Sequence, residues 1–288
     1  MVLPKILIVG ATGAVGRLLL RELLSLPDPP SIRVSTRNPA KLDLPPSVEV
    51  VKGDLNDVSS YHQLFEGIDR AYLYAVPEAP LERLFMTAKN CNVRHVVLLS
   101  SLSAEMDPEG VLGKTFCIVE DGVKRAGLQY TFLRAGSFSS NTLLFWMPQI
   151  QEMGRLWMTC PDTQMAPISE IDIARAAVVA LTTDKLINKA VRLTGPSCKT
   201  HQDQLDDINR LRHREGKDPF ESIIVPAEVW KAKTSDFIVP DLQDQLIKFW
   251  EEGQAVSPKI YSSESITGMP SESFEEWLES HKEMFLGD

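Results

Sequence analysis

The chain has 288 residues, of which 43% are hydrophobic, and its 30 basic and 39 acidic side chains give a net charge of −9. A chain of this length can bury a large core, so an α/β domain with a smaller appended lobe is expected. The acidic balance, with no basic stripe interleaved with aromatic residues, argues against binding to nucleic acid or to an anionic membrane.

The first residues carry one lysine and a short apolar stretch, so neither a secretory nor a transit peptide is expected. No apolar run approaches the length of a membrane span, and we expect a cytoplasmic protein that is a monomer or a homodimer. Metal-ligand spacing is also absent, and buried free thiols are expected instead for Cys91, Cys117, Cys160 and Cys198.

Strands and helices alternate along the first half of the chain. "KILIVG" is almost entirely apolar and ends at a glycine, as expected for a central parallel strand, and "RLLLRELLSL" repeats leucine at helical spacing. Further strands are predicted at "SIRVST", "VEVVKG", "RAYLYAV", "HVVLLSS" and "QYTFLRA", with helices near residues 57–66, 80–91 and 114–127. This alternation predicts a Rossmann-type, doubly wound parallel sheet.

The alternation changes at about residue 142. "LLFWMPQIQEMGRLWMTCPD" predicts a helix and a turn at Gly154 before a short strand, and "SEIDIARAAVVALTTD" predicts a helix capped by Ser169. "AVRLTGP" predicts a late strand, and polar, acidic helices follow it. We therefore expect a dinucleotide-binding Rossmann core over 1–141 and a smaller α+β lobe over 142–288 that mainly binds substrate, with some segments returning to the core.

A glycine triplet lies between the first strand and the first helix. In such a G-x-x-G-x-x-G stretch the first glycine makes a tight turn, the second admits a pyrophosphate close to the backbone, and the third lets the helix pack on the strand. The pattern predicts a dinucleotide site formed by Gly10, Thr12, Gly13, Ala14, Val15 and Gly16.

The end of the second strand indicates which dinucleotide binds. NAD-binding folds usually place an acid there, but this chain has Thr36, Arg37 and Asn38. Arg37, with Lys41 as a second candidate, can pair with the 2′-phosphate of NADP(H). The alternative is that Arg37 is an ordinary solvated surface cation.

An aspartate follows the third strand in "VKGDLND". The carboxylate of Asp54, next to Leu55, can accept a hydrogen bond from the adenine amino group. The alternative for Asp54 is a simple helix-capping role.

The ordered motifs "ILIVGATGAVG", "STRNPAKL", "VKGDLND", "HVVLLSSLSA", "GLQYTFLRAGSFSSN" and "ISEIDIARAA" resemble those of the NmrA-like atypical short-chain dehydrogenases, over nearly the whole chain. The ending "SITGMPSESFEEWLESHKEMF" is further similar to the fungal ergot alkaloid biosynthesis subgroup that includes festuclavine and agroclavine dehydrogenases. The resemblance implies an NADP(H)-dependent oxidoreductase in which Arg134 and Asn141 border the nicotinamide pocket, as an alternative to a purely structural role. It also implies cofactor contacts from Ala75, Val76, Pro77 and Ser100.

The chain departs from the short-chain dehydrogenase pattern at the catalytic couple. Those enzymes use Tyr-x-x-x-Lys, in which the lysine lowers the tyrosine pKa so that the phenol protonates the alkoxide formed from a ketone. Aligning Glu120 and Arg134 with the family puts Leu112 and Phe116 at these positions, and the usual serine falls near Leu102. We therefore expect no Tyr/Lys proton donor.

Loss of the proton donor restricts the reaction. Hydride addition to an iminium gives a neutral amine and needs no proton, so an already cationic acceptor fits best. A small hydrophobic, nitrogen-containing substrate is expected, with cation–π contacts from aromatic pocket walls. The alternative for the aromatic residues is core packing. The candidate substrate contacts are Ser101, Phe116, Phe138, Asn141, Phe145, Trp146 and Trp157.

Three functions fit this sequence. The first is reduction of an iminium or imine intermediate, a C–N bond reaction of alkaloid-like secondary metabolism. The second is a non-redox, Pictet–Spengler-like cyclase or isomerase that keeps NADP(H) as a structural element, and the third is an NADP-sensing regulatory protein. No catalytic residue is assigned. The second function would need its own acid or base, for which the candidates are Ser101, Ser103, Glu105, Asp107 and Lys114.

Overall fold

The computed structural model describes residues 3–39 and 43–287. The chain forms two compact units. The first contains the described residues up to Ala135 together with Glu170–Leu193 and Glu264–Met269. The second contains Gly136–Ser169, Thr194–Ser263 and the described residues from Pro270 onward. The substrate-binding role expected for the part after residue 142 stays a prediction.

The first unit is built on a seven-stranded sheet in which every neighbouring pair is parallel, in the order β3-β2-β1-β4-β5-β6-β9. The predicted doubly wound parallel fold is therefore confirmed. Its strands are β1 Ile6–Val9, β2 Ile32–Thr36, β3 Val48–Lys52, β4 Arg70–Tyr74, β5 His95–Ser101, β6 Gln129–Ala135 and β9 Lys189–Leu193. The second unit adds β7 Leu156–Met158, β8 Gln164–Met165, β10 Lys199–Thr200 and β11 Ser222–Ile224, which pair as β7 with β11 and β8 with β10.

Helices cover the sheet and form most of the second unit. A 3-10 turn at Val58–Ser60 precedes α2. None of the helices in the described part of the chain is long and apolar enough to cross a membrane. In chain order they are α1 Ala14–Leu24, α2 Tyr61–Phe65, α3 Leu81–Asn90, α4 Ser103–Met106, α5 Val111–Arg125, α6 Asn141–Phe145, α7 Met147–Met153, α8 Glu170–Thr182, α9 His201–Arg214, α10 Ala227–Thr234, α11 Pro240–Ala255, α12 Glu264–Thr267 and α13 Phe274–Ser280.

The core of the first unit follows from the apolar strands. Every residue of β1 is buried, as expected for a central strand covered on both faces. The leucine stripe of α1 supplies Leu19, Leu20 and Leu23, which are also buried. A period of 3.6 residues places these side chains on one face of the helix, so burial of that face anchors α1.

The predicted single helix before Gly154 is wrong in one respect. The segment forms two short helices, α6 and α7, which meet at Trp146. Pro148 lies in the first turn of α7 and cannot continue a preceding helix, because its ring excludes the required backbone hydrogen bond. Gly154 ends α7 in the left-handed conformation with φ of 68°, so the predicted turn is confirmed.

The expected cap at Ser169 is also wrong. The Ser169 hydroxyl is buried and makes no hydrogen bond with any described residue. The backbone just before it is held instead by a parallel bridge between Phe138 and Ile168, in which the Ser139 amide donates to the Ile168 carbonyl. Backbone pairing thus fixes this segment without a side-chain cap.

The cysteines are free, but their expected full burial is wrong. Cys198 is exposed, and Cys91, Cys117 and Cys160 are half-buried. Cys91 follows the last residue of α3 and Cys117 lies within α5, so neither is on a central strand of the sheet. Within residues 3–39 and 43–287, no group of three or more histidine, cysteine or acidic side chains is arranged to hold a metal ion.

A buried arginine joins β2 to α2. One terminal nitrogen of Arg33 donates to the carbonyls of Gln63, Leu64 and Glu66, at 3.0, 3.1 and 2.8 Å. The other terminal nitrogen lies 2.8 Å from the Glu49 carboxylate. These bonds satisfy carbonyls at the end of α2 that the helix itself leaves without donors.

We expect Arg33→Met to lower the free energy of unfolding by roughly 2–4 kcal/mol, because it leaves one buried and two partly buried carbonyls and the Glu49 carboxylate without this donor. Urea unfolding followed by circular dichroism measures this loss. The matched control is Arg21→Met, which removes an exposed arginine paired with Glu22 and should change stability by less than about 0.5 kcal/mol. Equal effects of the two substitutions would contradict a structural role for Arg33.

Candidate functional site

The residues predicted to hold a dinucleotide follow the carboxyl ends of neighbouring strands. Gly10 follows β1, Arg37 follows β2 and Asp54 comes shortly after β3. All these strands are parallel, so their carboxyl ends meet at one edge of the sheet. The chain adds β2 and β3 on one side of β1 and β4, β5 and β6 on the other. Open α/β sheets bind ligands at the carboxyl ends of the strands where the order reverses in this way.

The glycine loop is defined by close backbone contacts. Gly10 has φ of +80°, and its carbonyl accepts a 2.9 Å hydrogen bond from the Gly13 amide. A Cβ atom on Gly16 would lie 2.1 Å from the Gly10 carbonyl oxygen, so α1 packs directly on the turn. A Cβ on Gly13 would lie 3.3 Å from the same oxygen, and Gly13 has φ of −76°. The fold thus requires glycine strictly at positions 10 and 16 but much less so at position 13.

The beginning of α1 fits a phosphate group. Thr12, Gly13 and Ala14 are exposed, no side chain caps the helix, and its first turn contains no acidic residue. The first amide groups of a helix have no partner within it, and the helix dipole favours negative charge at this end. The cradle left by the missing Cβ of Gly13 therefore suits a pyrophosphate held by backbone amides.

Tyr74 is a residue at this edge that the sequence reasoning missed. The register that pairs Ile8 with Tyr72 continues to put Tyr74, the last residue of β4, beside Gly10. A Cβ on Gly10 would lie 3.0 Å from two carbons of the Tyr74 ring, which is 43% exposed. A large aromatic residue ending the strand next to β1 is the signal that could have identified it. The half-buried residues Ala75, Val76 and Pro77 follow directly.

The end of β2 presents exposed polar groups. Arg37 and Asn38 are exposed, and the Thr36 hydroxyl accepts a 3.2 Å hydrogen bond from the Asn38 amide. Lys41, the second candidate for a 2′-phosphate contact, lies outside the described residues.

Asp54 is half-buried, and Leu55 beside it is buried. One carboxylate oxygen of Asp54 accepts a 3.0 Å hydrogen bond from the Asn56 amide. The side chain that caps the following 3-10 turn is that of Asp57, which accepts from the Ser59 amide. The capping alternative for Asp54 is therefore wrong, and its adenine contact stays a prediction.

Glu120 is the centre of a buried ionic network. Arg134 donates to both of its carboxylate oxygens, at 3.0 and 2.7 Å, and the Ser100 hydroxyl donates at 2.7 Å. This two-point contact is the strongest geometry for an arginine–carboxylate pair. It raises the pKa of Arg134 further, chiefly through the hydrogen bonds to Glu120. The Ser100 hydroxyl proton is committed to Glu120.

Glu105 extends the network to the edge strand. It accepts hydrogen bonds from Arg134 at 3.2 Å and from the Nε of Arg192 at 3.0 Å, and from a second nitrogen of Arg192. The hydrogen bonds from Arg192, followed by those from Arg134, hold the pKa of Glu105 below its usual value of 4.5. Glu105 is therefore an ionised carboxylate at neutral pH and has no proton to donate.

The positions aligned with the Tyr/Lys couple carry no acid. Leu112 and Phe116 lie on α5 and are half-buried. Lys114 between them is exposed, and its ammonium lies 3.7 Å from Glu109. The remaining candidate hydroxyls contact each other, because Ser103 donates to Ser101 at 2.9 Å. Asp107, also a candidate acid or base, is half-buried at the end of α4.

Comparison with known proteins identifies the family. Residues 10–184 match the model of a family described as NAD(P)H-binding. The chain belongs to this NAD(P)H-binding family. The dinucleotide cofactor predicted from the glycine loop is thus confirmed, and the resemblance to the NmrA-like atypical short-chain dehydrogenases is supported.

Curated relatives of this NAD(P)H-binding chain include reductases. It is 30% identical to a (4-alkanoyl-5-oxo-2,5-dihydrofuran-3-yl)methyl phosphate reductase of Streptomyces griseus subsp. griseus, with 97% of this chain and 99% of the relative covered. It is 26% identical to an NAD(P)H azoreductase of Xenophilus azovorans, with the same coverage. The narrower resemblance to the ergot alkaloid subgroup gains no support from these relatives and stays a prediction.

The fold of this family member is also that of solved structures. An NADPH-dependent quinone oxidoreductase from Escherichia coli superposes with a TM-score of 0.77 at 22% identity, over 96% of this chain and 99% of that protein. At this level of identity the likeness concerns the fold.

The predicted substrate contacts Phe138, Asn141, Phe145, Trp146 and Trp157 belong to the second unit. Trp146 is 8% exposed and packs edge-on against His201 in that unit's core. The Lys233 ammonium lies 4.7 Å from the centre of the Trp157 ring. Asn141 donates to the Ser137 hydroxyl at 3.0 Å, and Phe138 and Phe145 are half-buried. Ser101 and Phe116 lie in the first unit.

We expect Gly13→Val to abolish dinucleotide binding while the chain stays folded, because the added side chain occupies the phosphate cradle and not the helix–strand contact. Fluorescence titration with NADPH measures binding, and thermal melting measures folding. Gly16→Ala is the matched contrast: its Cβ would clash with a backbone oxygen 2.1 Å away and should lower the melting temperature. Normal NADPH binding by folded Gly13→Val would refute this position of the pyrophosphate.

The contribution of Glu105 to the stability of the folded protein should depend on pH. Its pKa is lower in the folded chain than its usual 4.5, so the stabilisation is present above that value and is lost as the pH falls through the folded pKa. We expect the melting-temperature difference between the wild type and Glu105→Gln to be constant near neutrality and to shrink below about pH 4.5. Glu109→Gln, which alters an exposed carboxylate 3.7 Å from Lys114, should show no such trend. A difference that grows in acid would contradict the assignment.

Proposed function

We propose that this chain is an NADPH-dependent reductase whose acceptor is an iminium ion or a similarly electrophilic conjugated group. When bound, NADPH supplies the hydride. The protein's own residues bind the dinucleotide and orient the acceptor, and they supply no proton at the moment of reduction. An isolated ketone is outside this substrate class, because it needs a proton donor for its alkoxide.

The observation that carries this proposal is the commitment of Ser100 and Glu105, two polar groups near the carboxyl end of β5. The hydroxyl of Ser100 donates to a carboxylate, and Glu105 is kept ionised by two arginines. The aligned couple consists of Leu112 and Phe116. A site arranged in this way suits a reaction whose transition state does not develop a localised oxyanion.

The relatives' substrates fit the same restriction. The dihydrofuranone named for the Streptomyces griseus reductase has a ring double bond conjugated with two carbonyl groups, the alkanoyl group on C4 and the ring oxo group at C5, and the Xenophilus azovorans enzyme is named for azo compounds. Neither name describes an isolated ketone. Addition to a conjugated acceptor gives an anion whose charge is spread over several atoms and which takes its proton from water after the hydride transfer. Addition to an iminium gives a neutral amine directly. Both products need less help from an acid than an alkoxide does.

The dinucleotide contacts follow from the loop geometry. The backbone amides at the start of α1 would hold the pyrophosphate, with the ring of Tyr74 forming one wall beside Gly10. Arg37 would pair with the 2′-phosphate and Asp54 would accept from the adenine amino group. The half-buried loop of Ala75, Val76 and Pro77 would lie along the sugar.

Two of the aromatic residues predicted to contact the acceptor already have other partners. Trp146 is committed to the core, and the Trp157 ring already has the Lys233 ammonium near its face. A second cation beside Lys233 would be repelled, which makes Trp157 a poor partner for an iminium. Phe145 packs against the apolar core clusters of the second unit, and Phe138 is half-buried.

The proposal is tested with NADPH deuterated at C4 and three acceptors: a cyclic iminium salt, an electron-poor conjugated enone and a simple cyclic ketone. We expect one NADPH to be consumed per product, the label to reach the product carbon, and the ketone to stay unreacted. The double substitution Leu112→Tyr with Phe116→Lys should not accelerate iminium reduction, since no alkoxide forms.

The matched control for that variant is Leu112→Phe with Phe116→Met, which changes side-chain size without adding an acid. If the Tyr/Lys variant alone gained tenfold or more on the iminium, the protein would be short of a proton donor and the proposal would be wrong. Turnover supported equally by NADP⁺, with no transfer of label, would make the dinucleotide a scaffold and favour a non-redox cyclase or isomerase.

A further inference from the structure

Lys52 lies at the same sheet edge as Arg37, although 15 positions separate them in the sequence. It is the last residue of β3, which is paired in parallel with β2. The register places Lys52 directly beside Thr36, the residue before Arg37. A 3.0 Å hydrogen bond from the Gly53 amide to the Thr36 carbonyl continues this pairing beyond the strand end.

Residues paired directly across a sheet share a face and have Cα atoms about 5 Å apart. Lys52 and Thr36 therefore rise from the same face at the carboxyl edge, and Lys52 is exposed there. A lysine ammonium is carried on a flexible four-carbon stem, so it can reach a group held over the neighbouring strand end.

The charges at this edge are available for a ligand. Neither Arg37 nor Lys52 forms an ion pair in the described part of the chain. The carboxylate of Asp57 accepts hydrogen bonds from the Ser59 hydroxyl and amide, at 2.6 and 3.0 Å. These bonds lower the pKa of Asp57 more than the charge of Lys52 does. The Thr36 hydroxyl accepts from the Asn38 amide, which leaves its own proton free to donate.

We propose that Lys52 is a second cation for the 2′-phosphate of NADP(H), acting across the β2–β3 pair together with Arg37. The inference rests on the proposed function, since it assigns a further residue to the same cofactor. A phosphate monoester is nearly a dianion at neutral pH, and two cations on adjacent strand ends match its charge. Lys52 is thus a specificity residue that separates NADPH from NADH.

The experiment compares binding of NADPH and NADH to Lys52→Gln, Lys52→Arg and Lys185→Gln by nicotinamide fluorescence. Lys185→Gln is the control, because it makes the same charge change at an exposed lysine between α8 and β9. Lys185 lies before the amino end of β9, whereas Lys52 lies at the carboxyl end of β3. We expect Lys52→Gln to weaken NADPH binding by roughly five- to twentyfold and to change NADH binding by less than about twofold. Lys52→Arg should keep most of the NADPH affinity, and Lys185→Gln should match the wild type.

Competition with adenosine 2′,5′-bisphosphate and with 5′-AMP isolates the phosphate. Only the bisphosphate should lose affinity in Lys52→Gln. Equal losses for both nucleotides, or no loss for either, would overturn the role of Lys52.

Arg37→Asp in the same titrations separates this inference from the proposed function. If Arg37→Asp loses NADPH selectivity while Lys52→Gln keeps it, the proposed cofactor preference stands and the inference about Lys52 fails. If the wild type itself does not prefer NADPH to NADH, the proposed NADPH dependence fails, and the role of Lys52 fails with it.

Discussion

The close approach of α1 to the turn after β1 is the constraint on which the site depends. The missing Cβ of Gly16 lets the helix backbone rest on the Gly10 carbonyl, where an added carbon would be 2.1 Å from the oxygen. This contact aims the amides at the beginning of α1 over the carboxyl ends of the central strands. Burial of Leu19 and Leu23 holds the helix in that position. The exposed beginning of α1, where we propose that the pyrophosphate binds, is therefore a consequence of packing.

The second determining feature is the arrangement of charge around Glu120. A buried carboxylate is stable when it is fully hydrogen-bonded and paired, and Glu120 has a two-point contact with Arg134 and a third bond from Ser100. Through Arg134 the network reaches Glu105 and Arg192, so β5, β6, β9 and two helices are tied at one end of the sheet. Groups that hold one another in this way are poor proton donors.

The outcome of the sequence-based predictions depends on whether the deciding interaction is local. The strand runs, the helix that follows Gly16 and the turn at Gly154 depend on burial, periodicity and a positive φ, all of which are properties of short segments. The capping role weighed for Asp54 failed because Asp57, three residues later, takes it. The single helix expected before Gly154 failed because a proline starts a second helix. The aromatic residues after 142 could not be divided between core and pocket, because that division depends on contacts with distant helices.

The sequence by itself determined the parallel Rossmann sheet and the glycine turn that precedes α1, because each follows from consecutive residues or from a fixed spacing. Only the tertiary structure decided which polar groups are committed and which are available. It joined Glu105 to Arg192, 87 positions away, and put Tyr74 against Gly10 and Lys52 beside Thr36. Strand order and register bring such residues together, and neither is encoded in the spacing of any single segment.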